Sequence, residues 1–436
     1  MSDFETTGDD QRVVPPPLPT NHGKPLSPVM LGERIVSMDV VRGLALLGIL
    51  ISNMLFFSQP LGINGLRDDL WMSSGDKWAD WISMIFIEGK FYPIFSMLFG
   101  MGVSMQMERA SSRGLDFKAS YLRRLYILMG FGLLHGIFLW EGDVLLAYAL
   151  CGLVLLLFRN RQPKTLLFWA LVLIVGPALL VLLLGVTLYL LSSHPAFHSV
   201  INEAYAGDEE IRNEMFRVFV TGSYMDVVHY RLGEMVSTFV ITLLFAPVYL
   251  GLFLIGMFAG RQGILVEVQK HTKLLVKILV ICGGIGLATN FLGAWIQMSG
   301  ISQLDYGKML IGNGIISIFG PVLAIAYIAG LALLVHRWSC VELFSPFAAV
   351  GRMALTNYLS QSLIATTIFY GYGLGLGGNV GRMGTIGISL MIFAAQIVFS
   401  LCWLKFYRYG PMEWLWRSLS YGTRQAMVIE KQTKLT

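Results

Sequence analysis

The segment RIVSMDVVRGLALLGILISN, residues 34–53, opens a long apolar run with charged side chains, since Asp39 and Arg42 stand near its start and Asn53 at its end. A run of about 20 mostly apolar residues is long enough for a helix to cross a bilayer. A charge inside lipid is unfavourable, so Asp39 and Arg42 need a water-facing edge, a partner or a function. The segment therefore predicts a transmembrane helix whose polar residues do not face lipid.

The composition of the whole chain predicts a membrane protein. Of its 436 residues, 55% are hydrophobic and only 14% are charged, and the mean hydropathy is +0.64. Soluble domains carry about 25% charged residues. The net charge of +5 is explained by Lys and Arg in cytoplasmic loops, so it gives no reason to expect nucleic-acid binding. The four cysteines show no metal-ligand spacing, and no metal is expected.

Apolar runs bounded by charges predict an all-α, polytopic bundle of about ten transmembrane helices. The runs cover approximately residues 40–58, 79–105, 122–140, 143–158, 165–191, 232–260, 274–298, 308–335, 347–372 and 384–407. Basic residues concentrate after the even-numbered runs, and the first such group is Arg109, Arg113, Lys118, Arg123 and Arg124. Loops rich in Lys and Arg stay in the cytoplasm, so both termini are predicted to be cytoplasmic.

The same pattern divides the chain into five regions. They are a disordered proline-containing tail (1–33), a first five-span bundle (34–191), an acidic extracytoplasmic loop (192–231), a second five-span bundle (232–408) and an interfacial helix with a cytoplasmic tail (409–436). Trp414, Trp416 and Tyr421 in the last region suit a helix anchored at the inner membrane interface.

Several polar residues are predicted to lie at one depth in the outer half of the bundle. At 1.5 Å per helical residue, Asn53 lies about 16 Å above Arg42. Separate segments bring to the same level Asn53, Glu88, Lys90, His135, Glu141 and Asp143. Ionisable groups inside a membrane usually face the bundle interior or a hydrated cavity and indicate function.

Each of these residues also has a purely structural interpretation. Asp39 and Arg42 stand at i and i+3 and are able to form an ion pair at a helix end. His135 is either a hydrogen-bonded core residue or a proton acceptor. Glu141 and Asp143 are either a solvated turn or groups that orient the histidine.

Glu88 and Lys90 are only two residues apart, so they do not face one another on a helix. Gly89 and Pro93 beside them predict a local break in the span. The small-residue patterns FGMGVSM (99–105) and GMFAG (256–260) predict close helix packing and not binding loops.

A polar stripe opens the ninth span, where Thr356 and Ser360, and then Asn357 and Gln361, stand four residues apart. Residues at this spacing share one helix face. Hydrogen bonding between helices and ligand binding both explain the pattern. Arg352, just before the stripe, is placed near the inner surface, where it is available to an anionic group.

Five segments together resemble the bacterial YeiB family in order and spacing. They are RIVSMDVVRGLALLGILISN, FIEGKFYPIFSMLFGMGVSM, RRLYILMGFGLLHGIFLWEGDVLLAYALCG, PFAAVGRMALTNYLSQS and GPMEWLWRSLSY. The resemblance runs from about residue 34 to residue 422. Only the proline-containing tail and the last residues fall outside it.

The resemblance implies a membrane enzyme, because this family is grouped with transmembrane acyltransferases and is distantly similar to heparan-alpha-glucosaminide N-acetyltransferase. Such an enzyme takes an acetyl group from cytosolic acetyl-CoA and delivers it across the membrane, here the bacterial inner membrane. The implied acceptor is a small molecule or a glycan-like group. The D-x-x-R-G opening of these enzymes matches Asp39, Arg42 and Gly43, and Asn53 stands where a second acyltransferase group has histidine.

These observations combine into a hypothesis for the site. The donor is expected to bind near Asp39 and Asn357 and at a basic rim made by Arg42, Arg123, Arg124 and Arg352. The reacting layer is expected to comprise Asn53 as an oxyanion donor, His135 as a base oriented by Asp143 or Glu141, and Glu88 and Lys90 beside them. A secondary transporter or permease and a non-catalytic membrane scaffold remain the alternatives, and a homodimer is the common default.

Overall fold

The computed structural model describes residues 35–59, 73–114, 116–192, 194, 197, 210–211, 213–303, 305–337 and 341–429. The predicted tail, residues 1–33, lies outside these ranges, and so does much of the predicted acidic loop, residues 192–231. The described residues form a helical bundle, which confirms the predicted all-α class.

Fourteen α-helices of ten residues or more lie in the described ranges, besides a 3₁₀ turn at Leu156–Phe158 and a π-helical turn at Arg217–Thr221. In chain order they are α1 (Val36–Ser58), α2 (Ser74–Phe86), α3 (Phe91–Ser112), α4 (Phe117–Phe138), α5 (Leu145–Leu155), α6 (Pro163–Leu191), α7 (Tyr224–Gly233), α8 (Met235–Arg261), α9 (Val268–Gln303), α10 (Tyr306–Arg337), α11 (Val341–Arg352), α12 (Ala354–Phe369), α13 (Arg382–Trp403) and α14 (Pro411–Tyr421). Their starts follow local chemistry. Asp116 accepts the Lys118 N–H before α4, and Pro163 occupies the first turn of α6, where its missing N–H costs nothing.

The bundle is that of a multi-pass membrane protein. Within the described ranges, seven helical stretches are long and apolar enough to cross a bilayer. They are Val36–Ser58, Ser74–Ser112, Pro163–Leu191, Met235–Arg261, Val268–Ile301, Tyr306–His336 and Arg382–Trp403. Leu180, Val236, Leu244 and Val280 leave more than half of their surface uncovered on α6, α8 and α9. Such faces suit contact with lipid.

Helix α1 occupies the centre of the bundle. It contacts α3, α10, α11, α12 and α13, and about half of its residues are buried. Gly43 of α1 and Gly351 of α11 face each other's backbones, so a side chain at either position would overlap a carbonyl oxygen. The segment that begins with Asp39 and Arg42 is therefore packed against other helices on much of its surface.

Helices α3 and α8 cross at small residues. A Cβ on Gly100 would overlap the Phe253 carbonyl, and a Cβ on Gly256 would overlap the Met97 carbonyl. Absence of a side chain allows two helix backbones to approach closely. The prediction that FGMGVSM and GMFAG serve helix packing is confirmed, since the two patterns pack against each other.

Two predicted spans are interrupted in the structure. The break predicted beside Glu88 is confirmed, since α2 ends at Phe86 and α3 begins at Phe91, with Gly89 at a φ of 77°. The span predicted over residues 347–372 is divided between two helices, α11 and α12. Met353 leaves the helical conformation at φ −111° and ψ 37°, and this residue separates α11 from α12. The new helix start at Ala354 exposes backbone N–H groups that need acceptors.

Replacement of Gly256 by Ala should destabilise the protein, because the added methyl group must displace the Met97 backbone of α3. Overpacking of this kind costs about 1–3 kcal/mol. Gly130→Ala is the matched control, since a Cβ at Gly130 on α4 meets nothing within 4 Å. Thermal unfolding of both purified variants in detergent measures the difference, and equal midpoints would contradict the tight α3–α8 crossing.

Candidate functional site

A cavity of about 660 Å³ lies inside the bundle among α1, α3, α4, α5, α12 and α14. Helix α1 runs along it, since Asp39 and Arg42 from its first turns and Asn53 from its far end all line the wall. The distance along α1 from Arg42 to Asn53 is about 16 Å at helical rise. The volume falls within the range of about 300–1,000 Å³ that small-molecule sites occupy.

One end of the cavity is strongly basic. Its wall includes the arginines 42, 109, 113, 124, 352 and 417. Arg42 is held by Asp39, with Nη1 2.7 Å from Oδ1, so the ion pair considered from the i, i+3 spacing is present. Arg124 donates to Gln106 Oε1 at 2.8 Å. Guanidinium groups that converge in a recess are suited to phosphate or carboxylate groups.

Arg123 was predicted to belong to the basic rim, but the structure places it elsewhere. Its side chain is exposed and lies against Gly422 after α14, and it does not line the cavity. Successive helix residues point about 100° apart, so Arg123 and Arg124 leave α4 in different directions. Arg124 takes the inner position.

Helix α14 closes the basic end of the cavity. Trp416, Arg417 and Tyr421 line it, and the Arg124 guanidinium lies 4.6 Å from the centre of the Trp416 ring. Trp416 Nε1 also donates to the Arg124 carbonyl at 3.2 Å. Trp416 belongs to the helix predicted to lie at the membrane interface, and its ring stacks on an arginine of the cavity wall.

Glu413 ties α14 to the start of α12. Its carboxylate accepts the backbone N–H of Leu355 at 2.6 Å and of Thr356 at 3.1 Å, and the Thr356 hydroxyl at 2.6 Å. These are N–H groups that the break at Met353 would otherwise leave without acceptors. Burial raises the pKa of Glu413, while the hydrogen bonds that it accepts act in the opposite direction.

The other end of the cavity is polar but less charged. Asn53 is half-buried in its wall, and Glu88 is the acidic residue there. Four tyrosines from different helices complete this end, namely Tyr92, Tyr148, Tyr249 and Tyr358. The Tyr148 hydroxyl lies 2.7 Å from Ser96 Oγ, which fixes its ring.

His135 lies directly behind this polar end. Its Nδ1 is 2.9 Å from Asp143 Oδ1, and its Nε2 is 2.9 Å from Ser362 Oγ. The second Asp143 oxygen accepts the Leu146 N–H at 2.8 Å. The imidazole is therefore held between a fixed carboxylate and a hydroxyl, and His135 is only 2% exposed.

His135 does not itself line the cavity, which corrects the expectation that it faces the reacting layer. Tyr358 stands in front of it, with the two ring centres 5.2 Å apart. Gly142 and Val144, on either side of Asp143 in the chain, also line the cavity. One layer of side chains and backbone thus separates the imidazole from the cavity.

Glu141 lies away from His135. Its Oε2 accepts from Arg231 Nε of α7 at 2.9 Å, and the Arg231 guanidinium is 5.6 Å from the Phe219 ring centre. Glu141 and Asp143 were both proposed to orient the imidazole, and only Asp143 contacts it. Glu141 connects the α4–α5 turn to α7.

Lys90 is fully buried behind the cavity wall, and its Nζ donates to the Met84 carbonyl at the broken end of α2. It was expected in the reacting layer, but Phe91 and Gly89 occupy the wall on either side. The lysine satisfies a carbonyl that the helix break leaves free. Glu88 faces the cavity and pairs with Arg382 of α13.

Arg382 is a buried cation that the sequence did not single out. Its side chain has no exposed surface, and besides Glu88 it has Asp80 at 3.7 Å. It also approaches the Ile51 carbonyl of α1 at 3.5 Å. The signal available was an arginine at the predicted start of a span, which is normally explained as an interfacial residue.

Asn357 is also placed differently from the prediction that it binds the donor. It is completely buried, and its Nδ2 donates to the Val350 carbonyl and to Ser400 Oγ, both at 3.1 Å. Gln361 donates to Gln396 at 2.9 Å. The polar stripe therefore joins α12 to α11 and α13, as the interhelical interpretation expects.

Ser362 of α12 was also missed, because a serine in an apolar helix carries no distinctive local signal. Its importance comes from a contact with His135, 227 positions away in the chain. In the described residues, no group of three His, Cys, Asp or Glu side chains is arranged to hold a metal ion. The arrangement offers anion binding at one end and proton transfer near the other.

Comparison with known proteins shows similarity to bacterial proteins over most of the chain. The chain is 37% identical over 432 residues to the uncharacterized protein YxaH of Bacillus subtilis (strain 168), covering 94% of this chain and 99% of that protein. It is 31% identical over 407 residues to the uncharacterized protein YeiB of Escherichia coli (strain K12), covering 89% and 96%. Residues 259–423 match the family described as protein of unknown function, DUF418.

Removal of the Arg382 guanidinium should strongly destabilise the fold. Arg382→Ala leaves Glu88 and Asp80 without their buried cation, and breaking a buried ion pair from one side costs about 3–5 kcal/mol. Arg161→Ala removes an exposed arginine and serves as the control. Thermal unfolding in detergent gives the comparison.

Adding Glu88→Gln to Arg382→Ala should recover part of the lost stability, because it removes one of the stranded charges. Equal unfolding midpoints for Arg382→Ala and Arg161→Ala would contradict the role of Arg382 as a buried partner of Glu88. A midpoint of the double variant below that of Arg382→Ala would contradict it as well.

Proposed function

This chain belongs to the YeiB-like family of DUF418 proteins, and we propose that it is a membrane acyltransferase. It takes an acetyl or related acyl group from cytosolic acetyl-CoA and passes it to an acceptor on the extracytoplasmic side. The observation that carries the proposal is the cavity of about 660 Å³ with six arginines at one end and the His135–Asp143 pair, 2.9 Å apart, behind its other end.

The proposed topology places the basic end in the cytoplasm of a bacterial cell, with the bundle in the inner membrane. Ten crossings then include α4 and the shorter helices α5 and α12 beside the seven long, apolar stretches, and both termini are cytoplasmic. The Lys and Arg residues of the α3–α4 turn support this orientation. Arg109 in the last helical turn of α3 and Arg113 directly after this helix both line the cavity.

The arginine-rich end fits a CoA thioester. Several converging guanidinium groups match the phosphates of CoA, because each presents paired N–H donors to anionic oxygens. The Trp416 and Tyr421 rings in the same wall offer faces for stacking of the adenine. The long uncharged arm of CoA then extends along α1 past Leu46 and Ile49 toward the tyrosines, and its thioester reaches the polar end.

At the polar end the proposal assigns each group a chemical task. Asn53 donates its amide N–H to the oxyanion that develops on the thioester carbonyl. His135 accepts the proton of the acceptor amine or hydroxyl, and Asp143 holds its ring and stabilises the imidazolium. The acceptor is proposed to be a small molecule or a glycan-like group.

A transporter is the second candidate, favoured by the helix break at Gly89 and the buried Asp80–Arg382–Glu88 cluster. Broken helices and charges at membrane depth are features of secondary transporters. The acyltransferase is preferred because the cavity combines phosphate-binding groups with an oriented imidazole.

The proposal predicts consumption of acetyl-CoA that depends on His135. Purified protein in nanodiscs should release labelled acetyl from [acetyl-¹⁴C]acetyl-CoA, to water or to an added amine or sugar acceptor. His135→Ala should lower this rate at least about 100-fold, the lower range for loss of a general base, and leave acetyl-CoA binding intact. His229→Ala, at an exposed position of α7, should behave like the wild type.

Two results would reject the enzyme. Solute movement without acetyl-CoA consumption would identify a transporter. If the protein neither moves solute nor consumes or binds acetyl-CoA, the scaffold alternative remains. Full activity of His135→Ala would remove the assigned base while leaving the enzyme in place.

The basic end predicts a difference between two neighbouring arginines. Arg124→Gln should weaken CoA binding by about 10- to 150-fold, the equivalent of a charge-assisted hydrogen bond of about 1.5–3 kcal/mol. Arg123→Gln should leave the Kd unchanged, because that side chain points away from the cavity. Calorimetric titration with CoA at two salt concentrations measures both, and equal Kd values for the two variants would contradict the proposed donor site.

A further inference from the structure

Ser362, His135 and Asp143 form a hydrogen-bonded series drawn from three separate parts of the chain. Ser362 comes from α12, His135 from α4 and Asp143 from the turn before α5. Both links, Ser362 Oγ to His135 Nε2 and His135 Nδ1 to Asp143 Oδ1, measure 2.9 Å. This is the order and spacing of a serine nucleophile, a general base and an orienting carboxylate.

The series is fixed at its carboxylate end. Asp143 Oδ2 accepts the Leu146 N–H at 2.8 Å, so the carboxylate has one oxygen on the backbone and the other on the imidazole. With Nδ1–H donated to Asp143, Nε2 is the nitrogen free to accept the Ser362 proton. Asp143 is thus a positioning residue, because it acts through His135.

From this geometry we propose that Ser362 is the nucleophile of a two-step acyl transfer and carries the acyl group as an ester. This inference rests on the proposed acyltransferase function and deepens it. A simple core serine would satisfy its hydroxyl on a backbone carbonyl of its own helix, as Ser83 of α2 does with Ala79. The Ser362 hydroxyl instead forms its described hydrogen bond with His135, the assigned base.

The first step transfers the acyl group to the protein. Ser362 Oγ attacks the thioester carbonyl and forms a C–O bond while its proton passes to His135 Nε2. The tetrahedral intermediate collapses with cleavage of the C–S bond, and the imidazolium returns the proton to the thiolate. Free CoA leaves, and Ser362 holds the acyl ester.

The second step reverses these roles with the acceptor. An acceptor amine or hydroxyl loses its proton to His135 Nε2 as it attacks the ester carbonyl. Cleavage of the bond to Ser362 Oγ releases the acylated acceptor, and the imidazolium reprotonates the serine. No oxidant, reductant or further reactant is needed.

Access to Ser362 depends on Tyr358, one helical turn earlier on α12. Ser362 is 1% exposed, and Tyr358 lines the cavity with its ring 5.2 Å from His135. Movement of this ring opens the hydroxyl to the cavity. A closed resting position slows hydrolysis of the ester when the acceptor is absent.

An exchange experiment separates this mechanism from direct transfer. Wild-type protein in nanodiscs is given unlabelled acetyl-CoA and [³H]CoA without acceptor. A Ser362 ester allows label to enter acetyl-CoA, because the first step is reversible, whereas direct transfer to an acceptor gives no exchange. Acid-quenched wild-type protein should also carry an acetyl group on the peptide that contains Ser362.

Two serine variants on the same helix test the assignment. Ser362→Ala should lose exchange by at least about 1,000-fold, as for loss of a catalytic nucleophile, while CoA binding and the elution profile stay unchanged. Ser360→Ala is the matched control, since Ser360 bonds to the Asn357 carbonyl and to Gln396, and it should retain exchange. If Ser362→Ala does not fold, the acetyl-peptide result on wild-type protein decides.

The outcomes distinguish this inference from the proposed function. Acceptor acylation without exchange, or exchange by folded Ser362→Ala, overturns the serine nucleophile and leaves the acyltransferase standing. If the wild type consumes no acetyl-CoA, the proposed function fails. A fluorophosphonate probe then tests the serine by itself, where labelling of Ser362 but not of Ser360 supports an activated hydroxyl and no labelling overturns it.

Discussion

A charged group inside a lipid-embedded bundle has no bulk water to solvate it, and the interior of this protein is arranged around that constraint. Arg382 is completely buried and held by Glu88 and Asp80, and Lys90 is held by a carbonyl at a helix break. Arg231 is paired with Glu141, and six other arginines line one cavity. Burial without a partner would cost several kcal/mol per ion, so the charges either pair or face the cavity.

The sequence predicted the membrane bundle, the polar character of α1 and the break beside Glu88, because each depends on local features. Apolar length determines a span, and Gly89 and Pro93 weaken a helix wherever they occur. The packing role of FGMGVSM and GMFAG was predictable for the same reason. His135 and Asp143 were placed at one depth by counting helical residues, and their contact at 2.9 Å follows that estimate.

The remaining features depend on contacts between distant parts of the chain. Ser362 acquires its partner from α4, Arg382 from α2 and the α2–α3 break, and Glu413 from α12. No spacing in the sequence relates these residues. Asn357 and Arg123 were misplaced because helical rotation by about 100° per residue decides which side chain faces a cavity, and depth alone does not specify rotation.

Helix α14 supplies part of the cavity wall, and it is also the last of the described helices that the ribosome completes. Until Pro411–Tyr421 has been synthesised, the N–H groups at the start of α12 lack the Glu413 carboxylate as acceptor, and the Arg124 guanidinium lacks its contact with the Trp416 ring. A nascent chain therefore carries an open, unfinished recess during its insertion into the bilayer. A product truncated before Pro411 would therefore lack this part of the cavity wall and the carboxylate that accepts the N–H groups at the start of α12.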